Sequence, residues 1–156
     1  MQNRKSKIAY CQSLIFTLNQ MFEHSTKVRT RYSEVDRMGY VYYGNYATYF
    51  EVGRVEAMRV LGISYSGLEE AGIIMPVIRM EIEYKKPAFY DEELTIVTRV
   101  KEMPRSRITF EYETWNAKGE LLNTALTELV FVDSKTMKPQ RAPQVIIDAA
   151  NKYLKA

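Results

Sequence analysis

The chain is poor in the residues that build metal centres and covalent cross-links. Its 156 residues include one cysteine, Cys11, and one histidine, His24. A single cysteine closes no disulfide within the chain, which assigns the protein to a reducing compartment, the cytoplasm. One His and one Cys cannot form a Cys/His zinc site, and no carboxylates are spaced like a calcium loop. No run of about 18 apolar residues occurs, so no membrane-spanning helix is expected. Neither sign of charge dominates. The 22 Lys+Arg against 19 Asp+Glu leave +3, too little to demand a nucleic-acid partner, although a local basic patch could hold a phosphate-bearing ligand.

What is present is globular: 46% hydrophobic and 26% charged residues, in a length that suits one domain with one core. Ile8 to Leu18, behind Arg4, Lys5 and Lys7, imitates a signal peptide. Gln12, Ser13 and Thr17 interrupt it, and no small-x-small cleavage site follows. Met21, just before the first strand, offers an alternative start. Residues 1–22 are therefore read as an N-terminal extension, helical and packed on the surface or on a partner, and residues 23–156 as a single domain.

Thr26 to Tyr32 alternates Val28, Thr30 and Tyr32 with Lys27, Arg29 and Arg31, the pattern of a strand with one wet face. A polar loop over Ser33–Gly39 follows. From Asn45 to about Leu61 the apolar residues Tyr46, Tyr49, Phe50, Gly53, Ala57, Val60 and Leu61 share one helical stripe. Val52 and Val55 on the far side suggest a helix buried on more than one face. Gly62 ends it, and Ser64 caps a short second helix reaching Glu70. The period then becomes two: Ile78–Lys85, Leu94–Val100, Arg107–Trp115 and Leu121–Val132 read as strands, with Asn116–Gly119 as a hairpin turn. Pro143 opens a last helix with Val145, Ile146, Ala149 and Tyr153 on one face. This order predicts an α+β domain, an antiparallel sheet of successive strands wrapped around a long central helix. An open sheet leaves an edge, and pairing of two copies would cover it.

The segment Tyr32 to Tyr46 is the one that suggests chemistry. A loop carboxylate, Asp36, precedes a helix start by seven or so residues. The first amides of a helix lack internal partners and carry partial positive charge. Aimed at a carbonyl they stabilise an oxyanion, while a nearby carboxylate acts as nucleophile or general base. Taken alone, an Asp before a helix is more often a turn cap.

The same residues resemble the signature of the 4-hydroxybenzoyl-CoA thioesterase-like branch of the hotdog-fold acyl-CoA thioesterases. They are Asp36, Gly39, Tyr42-Tyr43, Asn45-Tyr46 and Phe50-Glu51-x-x-Arg54, continued by Met75-Pro76-Val77 and Tyr84-Lys85-Lys86-Pro87-Ala88. The resemblance spans roughly residues 26–133 and implies a hotdog fold. It also implies hydrolysis of acyl-CoA thioesters, with an acyl-carrier-protein thioesterase or a silent acyl-CoA-binding dimer as alternatives. It departs at Glu34, where several relatives have Asp, and at Gly44, where some carry other small residues or Pro. By that resemblance Asp36 is the catalytic carboxylate, and the Tyr43 amide, aided by that of Gly44, polarises the thioester. No cofactor is implied beyond the CoA of the substrate. Lys85 and Lys86, with Arg79 and Arg105 as weaker candidates, would hold its phosphates, although a solvated strand face accounts for them equally. Tyr46, Tyr49 and Phe50 would line an acyl pocket, against the plainer reading of a packed stripe. Glu51 is the rival carboxylate, with a structural pair to Arg54 as the plainer reading. Glu34 is a supporting acid, and His24 lies before the first strand at the surface. A homodimer or homotetramer completes the expectation.

Overall fold

A computed structural model of the chain describes residues 21–154. The extension expected over residues 1–22, with Cys11, lies outside them except for Met21 and Phe22. Strands β1 (Phe22–Arg29), β3 (Val77–Tyr84), β4 (Glu93–Val100), β5 (Arg107–Asn116) and β6 (Leu121–Val130) form one antiparallel sheet in the order β1-β4-β5-β6-β3. A second, two-stranded sheet pairs β2 (Ile73–Ile74) with β7 (Val132–Asp133). Helices α1 (Tyr46–Val60), α2 (Tyr65–Glu70) and α3 (Gln144–Asn151) complete the fold. It is the expected hotdog arrangement.

Strict alternation builds the packed face. In β4, Leu94, Ile96, Thr98 and Val100 are buried, and in β5 Ile108, Phe110, Tyr112 and Thr114 are. Over them lies α1, whose buried residues Tyr46, Tyr49, Phe50, Gly53, Ala57 and Met58 recur every three or four positions. Phe50 stacks on Tyr112 with ring centroids 4.6 Å apart. Gly53 sets the approach: a Cβ there would stand 2.8 Å from Thr98 Oγ1 and 2.9 Å from Ile96 Cγ2. The helix keeps a residue that costs it about 1 kcal/mol of propensity because the backbone must come this close.

Several expectations shift. The first strand starts at Phe22 and stops at Arg29, so His24 lies within it, opposite Thr98. Beyond Thr30 the side chain of Glu34 captures Arg31, and Tyr32–Glu34 becomes a single 3-10 turn with Tyr32 exposed. Val60 sits at the margin of the helical stripe and is exposed, as is Val52. The last helix buries Ile146, Ala149 and Ala150, while Val145 and Tyr153 remain exposed. Strands β3 and β4 follow one another in sequence but are not neighbours: β3 pairs with β6, and β4 lies between β1 and β5. The link between them therefore crosses the end of the sheet. Along it the Ala88 carbonyl accepts the Val41 N–H at 2.9 Å, and Phe89 bridges to Tyr40. This crossing brings Lys85, Lys86 and Pro87 beside the loop that holds Asp36.

Candidate active site

The loop from Arg31 to Asn45 folds back on itself. Val35 pairs with Val41, and the Asp36 N–H donates to the Tyr40 carbonyl at 2.9 Å. The return is tight because Gly39 adopts φ +81°, a left-handed conformation that glycine takes without a Cβ penalty. Asp36 Oδ1 accepts the Met38 N–H at 2.8 Å. Its other oxygen has no partner, and the half-buried carboxylate makes no ion pair, among the described residues. Asp36 thus caps a turn and still has a lone-pair face to spend.

The second arm ends in a 3-10 turn, Tyr43–Asn45, that runs straight into α1. The Tyr42 N–H donates to the Glu34 carbonyl at 2.8 Å and the Asn45 N–H to the Tyr42 carbonyl at 2.9 Å. The N–H groups of Tyr43 and Gly44, between them, donate to no acceptor among the described residues. These are the orphan donors of a helix start. The Tyr43 carbonyl is held at 3.0 Å by the Tyr84 hydroxyl, so the peptide cannot rotate freely.

Both arms border one groove of about 310 Å³, lined by Asp36, Met38, Tyr40, Val41, Tyr43, Tyr46, Tyr84, Lys85, Lys86 and Pro87. Tyr46 forms its inner wall, T-shaped against Tyr84 at 5.6 Å. Burial pushes the Tyr46 phenol up to about 12, so it stays protonated at neutral pH. Asp36, Tyr43 with its unpartnered N–H, and two lysines therefore border one open space.

The Thioesterase-like superfamily model matches residues 30–150, most of the described chain. The chain belongs to the thioesterase-like superfamily. Within it, the chain is 34% identical over 130 residues to the putative acyl-CoA thioesterase YneP of Bacillus subtilis, covering 83% of this chain and 94% of that one. It is 33% identical to the acyl-CoA thioester hydrolase YbgC of Escherichia coli, covering 77% and 90%. Among solved structures, a DHNA-CoA thioesterase from Staphylococcus aureus superposes with a TM-score of 0.74 at 40% identity, covering 84% of this chain and 83% of that one.

Part of the segment that carries the resemblance borders the groove, and part of it does not. Asp36, Tyr43, Tyr46, Lys85 and Lys86 line the space. Gly44 lies beside it, where an added Cβ would meet the Tyr42 ring at 2.7 Å. Tyr49 and Phe50, expected in the pocket, are in the core instead: the Tyr49 hydroxyl is spent on Glu34 and the Phe50 ring on Tyr112. Arg79 pairs with Glu81 on the exposed face of β3, its Nε 2.9 Å from Oε1, and does not reach the groove. Arg105 lies at the other end of the sheet, lining a separate cleft with Arg141. Glu51 is exposed, 3.9 Å from the guanidinium of buried Arg54, and outside the groove. The groove residues assigned no role in the site from sequence are Met38, Tyr40, Val41, Tyr84 and Pro87. Tyr84 is the last residue of β3 and Pro87 stands on the crossing link that follows it, whose path no local pattern announces.

Proposed function

We propose that this chain hydrolyses acyl-CoA thioesters to free acid and CoA, with Asp36 as the reacting carboxylate and the N–H groups of Tyr43 and Gly44 as the oxyanion donors. A thioester carbonyl lodged in the groove accepts these two donors. The Asp36 carboxylate then adds to the carbonyl carbon, forming an acyl-aspartyl anhydride that water hydrolyses, or takes the proton of a water that adds directly. Along either route the C–S bond breaks, the sulfur leaves with a proton, and the carboxylate is regenerated. Each oxyanion donor of this kind contributes about 3–4 kcal/mol to the transition state. The observation that supports this reading is that Asp36, with an unpaired carboxylate oxygen, and Tyr43, whose N–H has no partner among the described residues, line one groove. No cofactor is needed beyond the CoA of the substrate, and the enzyme works in the cytoplasm.

Lys85 and Lys86 hold CoA phosphates at the rim. Both are occupied at rest by surface carboxylates, Glu83 at 2.9 Å and Glu120 at 2.6 Å, exchanges that cost little in high dielectric. The acyl group is aromatic. Four tyrosines and a methionine wall the groove, and offset ring pairs add about 0.5–1.5 kcal/mol beyond burial. The similarity to a DHNA-CoA thioesterase supports the same choice. Two copies pair along β3, an exposed edge strand carrying Val77 and Ile78, and one end of that strand borders the groove.

The test is a panel of aromatic and straight-chain acyl-CoA esters, followed by thiol release, on wild type and Asp36→Asn. Aromatic esters are expected to show the higher kcat/KM, and the variant to lose at least a hundredfold. Turnover by Asp36→Asn within threefold of wild type overturns the assignment, and a straight-chain preference overturns the substrate class.

A further inference from the structure

Glu34 is one of two buried charged residues among those described, Arg54 being the other. Nothing in the reaction above uses it, yet it is tied more heavily than any other side chain near the groove. Its carboxylate accepts the Arg31 backbone N–H at 2.8 Å and the Arg31 guanidinium through Nε at 2.8 Å and Nη2 at 2.6 Å. The same carboxylate accepts the hydroxyl of Tyr49, inside α1, at 2.6 Å. Its carbonyl accepts twice more, from the Tyr42 N–H and from Asn45 Nδ2, each at 2.8 Å. Buried charge of this kind is costly unless fully satisfied, and here the carboxylate ties the start of the first arm to the helix that carries the Tyr43 turn, while the main-chain carbonyl holds the end of the second arm.

We infer that Glu34 is the positioning residue of the site, the clamp that holds the Asp36 arm and the Tyr43 arm in register on the helix. The inference rests on the functional reading above. Asp36 is two residues from Glu34, and Tyr43 follows directly the amide that Glu34 binds. Loss of the clamp lets the arms slide relative to each other, and a shift of about an ångström between reacting groups can cost on the order of a hundredfold in rate. The phosphate-holding rim lies on the crossing link, which Glu34 does not touch, so substrate affinity is spared.

The experiment compares kcat and KM for wild type, Glu34→Gln, Glu34→Asp, Tyr49→Phe and Asp36→Asn on one acyl-CoA ester that wild type hydrolyses. Glu34→Gln keeps the size and loses the charge; Glu34→Asp does the reverse. Expected is a kcat loss of tenfold or more in Glu34→Gln with KM within threefold, recovery to within threefold of wild type in Glu34→Asp, and a kcat loss of three- to tenfold in Tyr49→Phe. A space-filling role would give the opposite order of the two Glu34 variants, and that order overturns the inference. So does a KM that rises in step with any fall in kcat. If Glu34→Gln fails to fold, Tyr49→Phe decides, and a wild-type kcat there overturns the inference. Asp36→Asn separates the two levels. If it is active, the reading of the site fails; if it is dead while the Glu34 and Tyr49 variants are not, only the clamp fails.

Discussion

The two ends of the same sheet, under the two ends of the same helix, are built for different purposes. At the far end Phe22, Met58, Val100, Ile108, Phe110, Ile146 and Leu154 close on a void of about 30 Å³, with α3 packed over them. Room for about one water is left there, between almost wholly apolar walls. At the near end the helix-facing row turns polar. Thr114 lies opposite Asn123 on β6, which lies opposite Tyr84 on β3. Asn123 is wholly buried, with neither end of its amide bonded among the described residues. Beyond that row the groove opens. One end is sealed by apolar side chains that satisfy each other. The other is held by local hydrogen bonds and leaves its best donors unspent. Stability and reactivity are thereby separated along a helix of fifteen residues.

That separation can be broken from either side. The largest effect is expected for Asp36→Asn, which removes the reacting group: kcat falls about 10²–10⁴-fold while the melting temperature stays within a degree or two. A melting temperature that falls sharply would place Asp36 in the scaffold instead. Next comes Phe110→Ala at the far end, where loss of a buried ring costs about 3–5 kcal/mol of stability. Urea titration reads that loss, and kcat per folded molecule is expected to remain that of wild type at low temperature.

A smaller effect sharpens the boundary between the two ends. Burial pushes the Glu34 carboxyl up, but the Tyr49 hydroxyl and the Arg31 amide and guanidinium outweigh it and hold the carboxyl below its ordinary value of 4.5. A depressed folded-state value gives stability that is complete above pH 4.5 and lost as pH falls through the folded value. The stability gap between wild type and Glu34→Gln is therefore expected to be constant near neutrality and to shrink below pH 4.5. Urea titrations from pH 7 to pH 3 measure it, and a gap that widens in acid contradicts the clamp's charge. The smallest effect belongs to Lys86→Ala. Its exposed pair with Glu120 contributes little in high dielectric. Stability should hardly move, while KM for an acyl-CoA ester should rise a fewfold at low salt and less at high salt.

How much of this was legible depended on how local the cause was. The alternation of β4 and β5, the stripe of α1 and the turn at Asn116–Gly119 follow from period and composition, because each residue's environment is set by neighbours one to four positions away. Asp36 and the Tyr43 amide stand on one contiguous segment, so their proximity was readable from the motif. Tyr49 and Phe50 show the limit. Both lie on the stripe, and a stripe says that a residue is covered but not whether a ligand or a strand covers it. Arg79 and Arg105 carry the right charge, but only the strand order reveals that one is paired on an open face and the other stands at the wrong end.

By itself the sequence determined the elements, the apolar face of the helix, and the carboxylate with its seven-residue spacing to the helix start. The tertiary structure decided which of the candidate side chains share the groove and which are spent in the core or on an open face. The crossing of the β3–β4 link, which no local period encodes, brings Lys85, Lys86 and Pro87, together with Tyr84 at the end of β3, to Asp36. The reason is that the link must cross the sheet to place β4 two strands away from β6, and that placement is a property of the whole apolar face, met only when every strand is paired.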